Sequence, residues 1–142
     1  MARRKRYKIV TAQTKDMGSS GDQQLLMKIQ SIDPENVVAF LNNIKIACIQ
    51  NDGDGDNGGF LLYATTNSSW ADSDIISFGA VGSLGGTVNL TVKRTIRDHD
   101  ADGSRTDGPV YIWAEVTDLG TVQNTARFVH ETWGWGHKVE LL

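Results

Sequence analysis

The stretch TVNLTVKRTI (87–96) alternates, with Val88, Leu90 and Val92 on one side and Asn89, Thr91 and Lys93 on the other. Successive side chains of an extended chain point to opposite faces, so this pattern predicts a strand with one face buried. PVYIWAEVTD (109–118) repeats it, setting Val110, Ile112, Ala114 and Val116 against Tyr111, Trp113, Glu115 and Thr117. The same reasoning predicts strands over 6–12, 24–32, 44–50, 60–66 and 74–80, and in a last segment from about 124 to 142. Runs rich in Gly, Asp, Asn and Ser separate them, among them GSSGD, NDGDGDNGG, NSSWADSD and DHDADGSRTDG.

One segment breaks the pattern. Asp33-Pro34-Glu35 supplies a helix N-cap, a first-turn proline and a first-turn acid, and NVVAFLNN follows. This predicts one short helix near residues 34–42, although VVAF also reads as strand. Eight short strands in 142 residues, with 15 Gly and only Pro34 and Pro109, predict an all-β fold. The expected architecture is an antiparallel eight-stranded β-sandwich, a jelly roll of two four-stranded sheets in Greek-key order. Residues 1–8 read as a basic N-terminal arm and 9–142 as a single sandwich domain.

Charge divides the chain at the same place. Arg3, Arg4, Lys5, Arg6 and Lys8 put +5 on the first eight residues, while nine Lys and Arg against all 17 Asp and Glu leave −8 on the rest. The head is not followed by the apolar core of a secretory signal, since the chain turns polar within three positions. The expectation is synthesis and folding in the cytoplasm, and the sequons at Asn67 and Asn89 then read as chance. No run approaches the ~20 apolar residues of a membrane-spanning helix. The lone Cys48 has no disulfide partner in its own chain and reads as a small core residue.

Two loops carry bunched carboxylates. Asp98, Asp100 and Asp102, followed by Gly103, form D-x-D-x-D-G, whose spacing lets alternate carboxylates converge on a hard cation. Pro109 stands where an EF-hand needs Glu, which leaves a calcium loop between strands, closed by Asp107. Asp52, Asp54 and Asp56 repeat the spacing with Asn57 in place of Gly. Both are candidate Ca2+ sites, and both are also good turn sequences.

Catalytic patterns are missing. The three histidines, His99, His130 and His137, stand at no metal-ligand spacing, and G-x-S-x-G, H-E-x-x-H, the P-loop and C-x-x-C are absent. The reading is a non-enzyme. Trp133 and Trp135 alternate with Gly134 and Gly136, so both indoles share one face of a strand. Tyr111 and Trp113 lie opposite the aliphatic side of theirs. These four are candidate interface aromatics, for another subunit or a sugar ring, unless a loop or the arm covers them.

A basic head, ARRKRYK at 2–8, followed by about eight strands with Asp/Gly loops, resembles the single jelly-roll capsid proteins of icosahedral viruses. The resemblance covers the layout of the whole chain. It implies a structural virion protein, shell-forming or accessory, that assembles with copies of itself or other capsid proteins through arms and sandwich edges, in some cases with calcium. This chain is short for that class and its arm is meagre. About 60 copies of a five-charge arm bring about 300 positive charges, against about a thousand phosphates on a thousand-nucleotide strand. Contact of residues 3–8 with genomic nucleic acid is therefore weak by charge, and the head is expected to strap onto the acidic loops of a neighbour. The alternative is a calcium-dependent binding module that holds a carbohydrate or other surface ligand on Trp133 and Trp135. A nucleic-acid-binding protein acting through RRKR alone would face repulsion from its acidic body.

Overall fold

The computed structural model describes residues 6–16, 23–51, 59–81, 86–97, 108–118 and 125–142. Nine strands run through them: β1 (Tyr7–Asp16), β2 (Gln23–Ser31), β3 (Ala39–Asn51), β4 (Gly59–Thr65), β5 (Ile75–Val81), β6 (Thr87–Ile96), β7 (Val110–Asp118), β8 (Thr125–Trp135) and β9 (His137–Leu141). Sheet I has the order β1-β8-β3-β6 and sheet II the order β5-β4-β7-β2-β9. Every neighbouring pair is antiparallel. Without β9, the orders β1-β8-β3-β6 and β2-β7-β4-β5 are those of a ribbon wound into two interleaved Greek keys. This is the jelly roll that the alternation predicts.

The core lies between the sheets. Leu41, Ile44, Ile46, Leu90 and Phe128 come from sheet I and Leu26, Phe60, Leu62, Ile112 and Val116 from sheet II, all fully buried or nearly so. Phe60 and Phe128 meet edge to face across the gap, with centroids 5.4 Å apart. In β6 and β7 the aliphatic sets picked out by alternation face this core, with Val88 partly buried at its edge. On one side of the sandwich β5 closes on β6, where a Cβ on Gly79 would collide with Val88. On the other side β1 and β9 are clipped together at both ends. Tyr7 stacks on His137 with centroids 4.9 Å apart, and Lys15 Nζ donates to the Leu142 carbonyl at 2.7 Å.

Two expectations are corrected. The helix near 34–42 does not form. Its start signal makes a single turn, with the Asn36 and Val37 amides donating to the Asp33 carbonyl at 3.1 and 2.7 Å, and β3 begins at Ala39. The physical reason is a bulge. The register of β3 slips between Leu41 and Asn43 against both β6 and β8, so buried residues switch from Ala39 and Leu41 to Ile44 and Ile46. The three-residue step from Leu41 to Ile44 imitates helical spacing within a strand. On β6 the same slip places Lys93 at φ 48.

The strand count rises from eight to nine because the last segment is two strands, one in each sheet. Gly136, at φ +69, turns the chain from β8 to β9, and its carbonyl accepts the Ile32 amide at 2.9 Å. A left-handed backbone at this point favours glycine. The only helical segment among the described residues is a 3-10 turn, Asp72–Asp74, inside a run read as loop.

The register also places the ends of the two acidic runs. Ala39, which opens β3, pairs with Ile96, which closes β6, so 98–107 departs from that end of sheet I. The run 52–58 departs from Asn51 at the other end of β3, about 40 Å away at the usual rise per residue.

Candidate functional site: the outer faces of the two sheets

On sheet I, β8 turns Ala126, Phe128, His130 and Thr132 inward, so Arg127, Val129, Glu131, Trp133 and Trp135 face outward. Both indoles thus share the outer face, as their spacing predicts. Trp135 stacks on its cross-strand partner Phe40, with centroids 4.7 Å apart. Trp133 lies opposite Lys8 of β1 and carries two cations, Lys8 Nζ 5.1 Å and the Arg6 guanidinium 5.5 Å from its ring centre. Lys8 also pairs with Glu131 at 3.5 Å. The end of the basic head is therefore seated on the sheet of its own chain. Lys45 of β3 stands beside Glu131, and Arg127 is exposed further along β8. Among the side chains described on this face are five cations, Arg6, Lys8, Lys45, Lys93 and Arg127, and the carboxylate of Glu131, which Lys8 pairs. Beside Lys45 a hollow of about 170 Å³ is lined by Lys45, Ala47, Thr87, Val129 and Glu131.

The glycine between the indoles has a role inside the chain. A Cβ on Gly134 would collide with the Phe40 carbonyl oxygen and lie 3.2 Å from the Leu41 Cα, so the backbone approaching there is β3 at its bulge.

Beneath β1 lie two buried histidines. His130 is fully buried, with Nδ1 3.1 Å from Thr11 Oγ1 and Nε2 3.5 Å from the Gln13 amide nitrogen. Burial pushes its pKa down to about 4, against a smaller opposing contribution from the Thr11 backbone. His137 is lowered for the same reason, and its Nε2 lies 3.3 Å from the Thr132 carbonyl oxygen. Tyr7 donates its hydroxyl to the His137 carbonyl at 2.5 Å. Both imidazoles are held neutral as structural parts of the seam between β1 and the sandwich.

Sheet II is arranged differently. Tyr111 and Trp113 point outward as expected, yet they are only 6% and 8% exposed. Trp113 donates Nε1 to Thr65 Oγ1 at 3.1 Å, and Trp70 roofs it edge-on at 5.6 Å. Tyr63 packs against Trp70 at 4.8 Å and against Phe78 at 6.2 Å. Lys28 Nζ stands 6.0 Å from the centre of the Tyr111 ring. Glu115 accepts from Gln23 at 2.7 Å and from the Tyr63 hydroxyl at 3.2 Å. Burial first, then Glu115 and Asp72, raises the Tyr63 phenol above its ordinary value.

Sequence reasoning missed Trp70, Tyr63 and Phe78. Trp70 stands in a turn run with no periodicity to mark it. Tyr63 was visible as the residue opposite Leu62 in β4. The candidate calcium residues Asp52, Asp54, Asp56, Asp98, Asp100, Asp102 and Asp107, and the head residues Arg3, Arg4 and Lys5, lie outside the described residues. Among the described residues, no three His, Cys, Asp or Glu side chains gather at metal-binding distance.

No family model matches the chain, and no curated protein matches it. Solved structures do. One is cowpea mosaic virus top component, the naturally occurring empty particles, at TM-score 0.46 and 9% identity, covering 100% of this chain and 93% of that one. Another is cocksfoot mottle virus, at TM-score 0.48 and 9% identity, covering 92% and 95%. A third is a semi-empty virus-like particle of the nodavirus of the giant freshwater prawn Macrobrachium rosenbergii, at TM-score 0.44 and 7% identity, covering 95% and 96%. The likeness to these virus structures is architectural.

Proposed function

We propose that this chain is a structural virion protein, a major or small accessory capsid protein that assembles with copies of itself or with other capsid subunits. The observation that carries the reading is the strand order, two interleaved Greek keys around an apolar core, an architecture used by viral capsid domains. It is shared with lectins, and the aromatic faces support the first of the two. A sugar platform presents the flat side of an aromatic ring. Here Trp113 lies under Trp70, Trp135 is stacked on Phe40, and Trp133 carries Arg6 and Lys8. These contacts favour a shell protein over a carbohydrate-binding module. The place of action in this reading is the virion. In this reading the basic head, residues 1–8, works as a strap onto the acidic loops of a neighbour. Calcium at 98–107 and 52–56 belongs to the same reading, as a clip on each acidic run.

The test is light scattering and electron microscopy of the purified full chain, with and without chelator. Closed particles are expected, smaller or less stable after chelation, and deletion of residues 2–5 is expected to weaken assembly. A chain that stays monomeric at high concentration in both conditions, and is absent from purified particles, overturns the proposal.

A further inference from the structure

We propose that β5 is a pairing edge, where the same strand of a second copy adds antiparallel about a twofold axis at Gly79 and joins two copies of sheet II into one. The inference deepens the assembly reading and rests on it in taking the partner to be a copy of this chain.

The first observation is how little guards this edge. β1 and β6 end sheet I, and β5 and β9 end sheet II. A terminal strand offers unpaired amides and carbonyls, and folds protect such edges with charge, proline, bulges or brevity. β1 carries Lys8, Lys15 and Asp16. β6 carries Lys93 and Arg94 and is bulged there, with Lys93 at φ 48. β9 is five residues long, carries Lys138 and Glu140, and has its His137 carbonyl taken by the Tyr7 hydroxyl. β5 reads IISFGAV, with no charge and no proline. A bulge at Ile76 lies near its start and leaves 77–81 in regular register with 60–64.

The second is exposure. Phe78 is 68% exposed, the most of any large apolar side chain among the described residues. Tyr63, its partner on β4, tilts against it with centroids 6.2 Å apart. Ala80, two residues on and therefore on the same face, is exposed as well.

The third is the fit of this edge to itself. A twofold at Gly79 sets Phe78 opposite the partner subunit's Ala80, so a large ring meets a small side chain twice. Val88 of β6 lies against Gly79 and is uncharged. Lys93 and Arg94 stand five and six residues further along β6, about 17–20 Å from the axis, and Asp74 stands as far back from Gly79 along the other strand. Like charges on these strands are thus about 30 Å or more apart across the axis, beyond the ~8–10 Å screening length. Self-pairing of one edge also closes at two copies. An edge of this length covers less than the ~800 Å² per partner of a standard interface, so the dimer is expected at about micromolar affinity.

The experiment is analytical ultracentrifugation of the full chain from about 1 to about 100 μM, with hydrogen exchange at both ends of the range. A monomer–dimer equilibrium is expected, with β5 amides more protected at high concentration and β9 amides unchanged. Phe78→Lys should weaken the dimer at least about tenfold, because two rings lose their cover. It should keep the circular dichroism of the parent, since the position is exposed. Adding Ala80→Glu to it should tighten the dimer again by about fivefold, through two cross-strand Lys–Glu pairs. Val10→Lys, at a 55% exposed position on β1, should leave the dimer within about twofold. A chain monomeric throughout, β5 protection independent of concentration, or a double variant no tighter than Phe78→Lys overturns the inference. So does growth past the dimer into thioflavin-binding fibres, which would assign the edge to open-ended stacking. Light scattering on the same variants separates the two readings. Particles undiminished by Phe78→Lys remove this edge and leave the shell reading, whereas dimers from a chain that forms no particles and is absent from virions do the reverse.

Discussion

On sheet II the indole of Trp113 is held by Thr65 and roofed by Trp70, a residue that its own chain brings over from the segment following β4. On sheet I the half-buried indole of Trp133 has above it the charged ends of Arg6 and Lys8. Both residues sit on the outward side of a central strand. One has been taken into a second, smaller aromatic cluster, and the other remains part of a cationic surface. The same residue type at equivalent positions thus serves stability on one sheet and leaves contact chemistry available on the other. Charge follows the same division. Among the described side chains sheet I presents Arg6, Lys8, Lys45, Lys93 and Arg127 with the carboxylate of Glu131, whereas the outward residues of sheet II include Lys28 and Lys138 beside Glu115 and Glu140.

The sharpest way to break this contrast is to truncate the two indoles in parallel. Trp113→Ala should cost about 3–5 kcal/mol, as for a large core side chain, and lower the urea midpoint accordingly. Trp133→Ala should cost about 1 kcal/mol or less, the scale of an exposed cation–π contact. Equal losses would remove the distinction between a covered and an open face.

A second test works through pH. The folded pKa of His130, at about 4, lies below its ordinary 6.5, so between these values the unfolded chain binds more protons than the folded one. Its contribution is complete above about pH 6.5 and is lost as pH falls toward 4, amounting to on the order of 3 kcal/mol. His130 contacts Thr11 and Gln13, so the loss should fall on β1, the strand that carries Lys8 and follows Arg6. Hydrogen exchange at pH 5 should show β1 and β8 opening ahead of β4 and β7, and His130→Gln should flatten the pH dependence of the melting temperature. Uniform opening of both sheets would contradict this placement.

The smallest expected effect is on the ion pair. Lys8→Ala or Glu131→Gln should change stability by less than about 1 kcal/mol, because the pair is half exposed. A larger loss in thermal melts would make sheet I a closed structural face like sheet II.

Much of the fold could be read from local pattern. Alternation in 87–96 and 109–118 identified β6, β7 and their buried sides, because a strand's side-chain period is a property of the backbone alone. It failed at β3, where a bulge shifts the buried set from Ala39 and Leu41 to Ile44 and Ile46 and so mimics a helix. It also failed at Gly136, where one extended run divides between two sheets. Both are responses to partners far away in the chain.

The candidate site was legible only in pieces. Spacing showed that Trp133 and Trp135 share a face, and composition showed that the head is basic. Counting charge along the chain then treated everything after Lys8 as one acidic body. The amino-acid sequence by itself determined the strands, the apolar stripe of each and the contrast between head and remainder, since these depend on neighbours two or three residues apart. Only the tertiary structure decided that Arg6, Lys8, Lys45 and Arg127 share one surface, that Trp70 closes the other, and that the acidic runs leave from opposite ends. Those outcomes rest on register between residues far apart in the chain, such as Lys8 and Trp133 or Thr11 and His130, whereas electrostatics acts through distance in space.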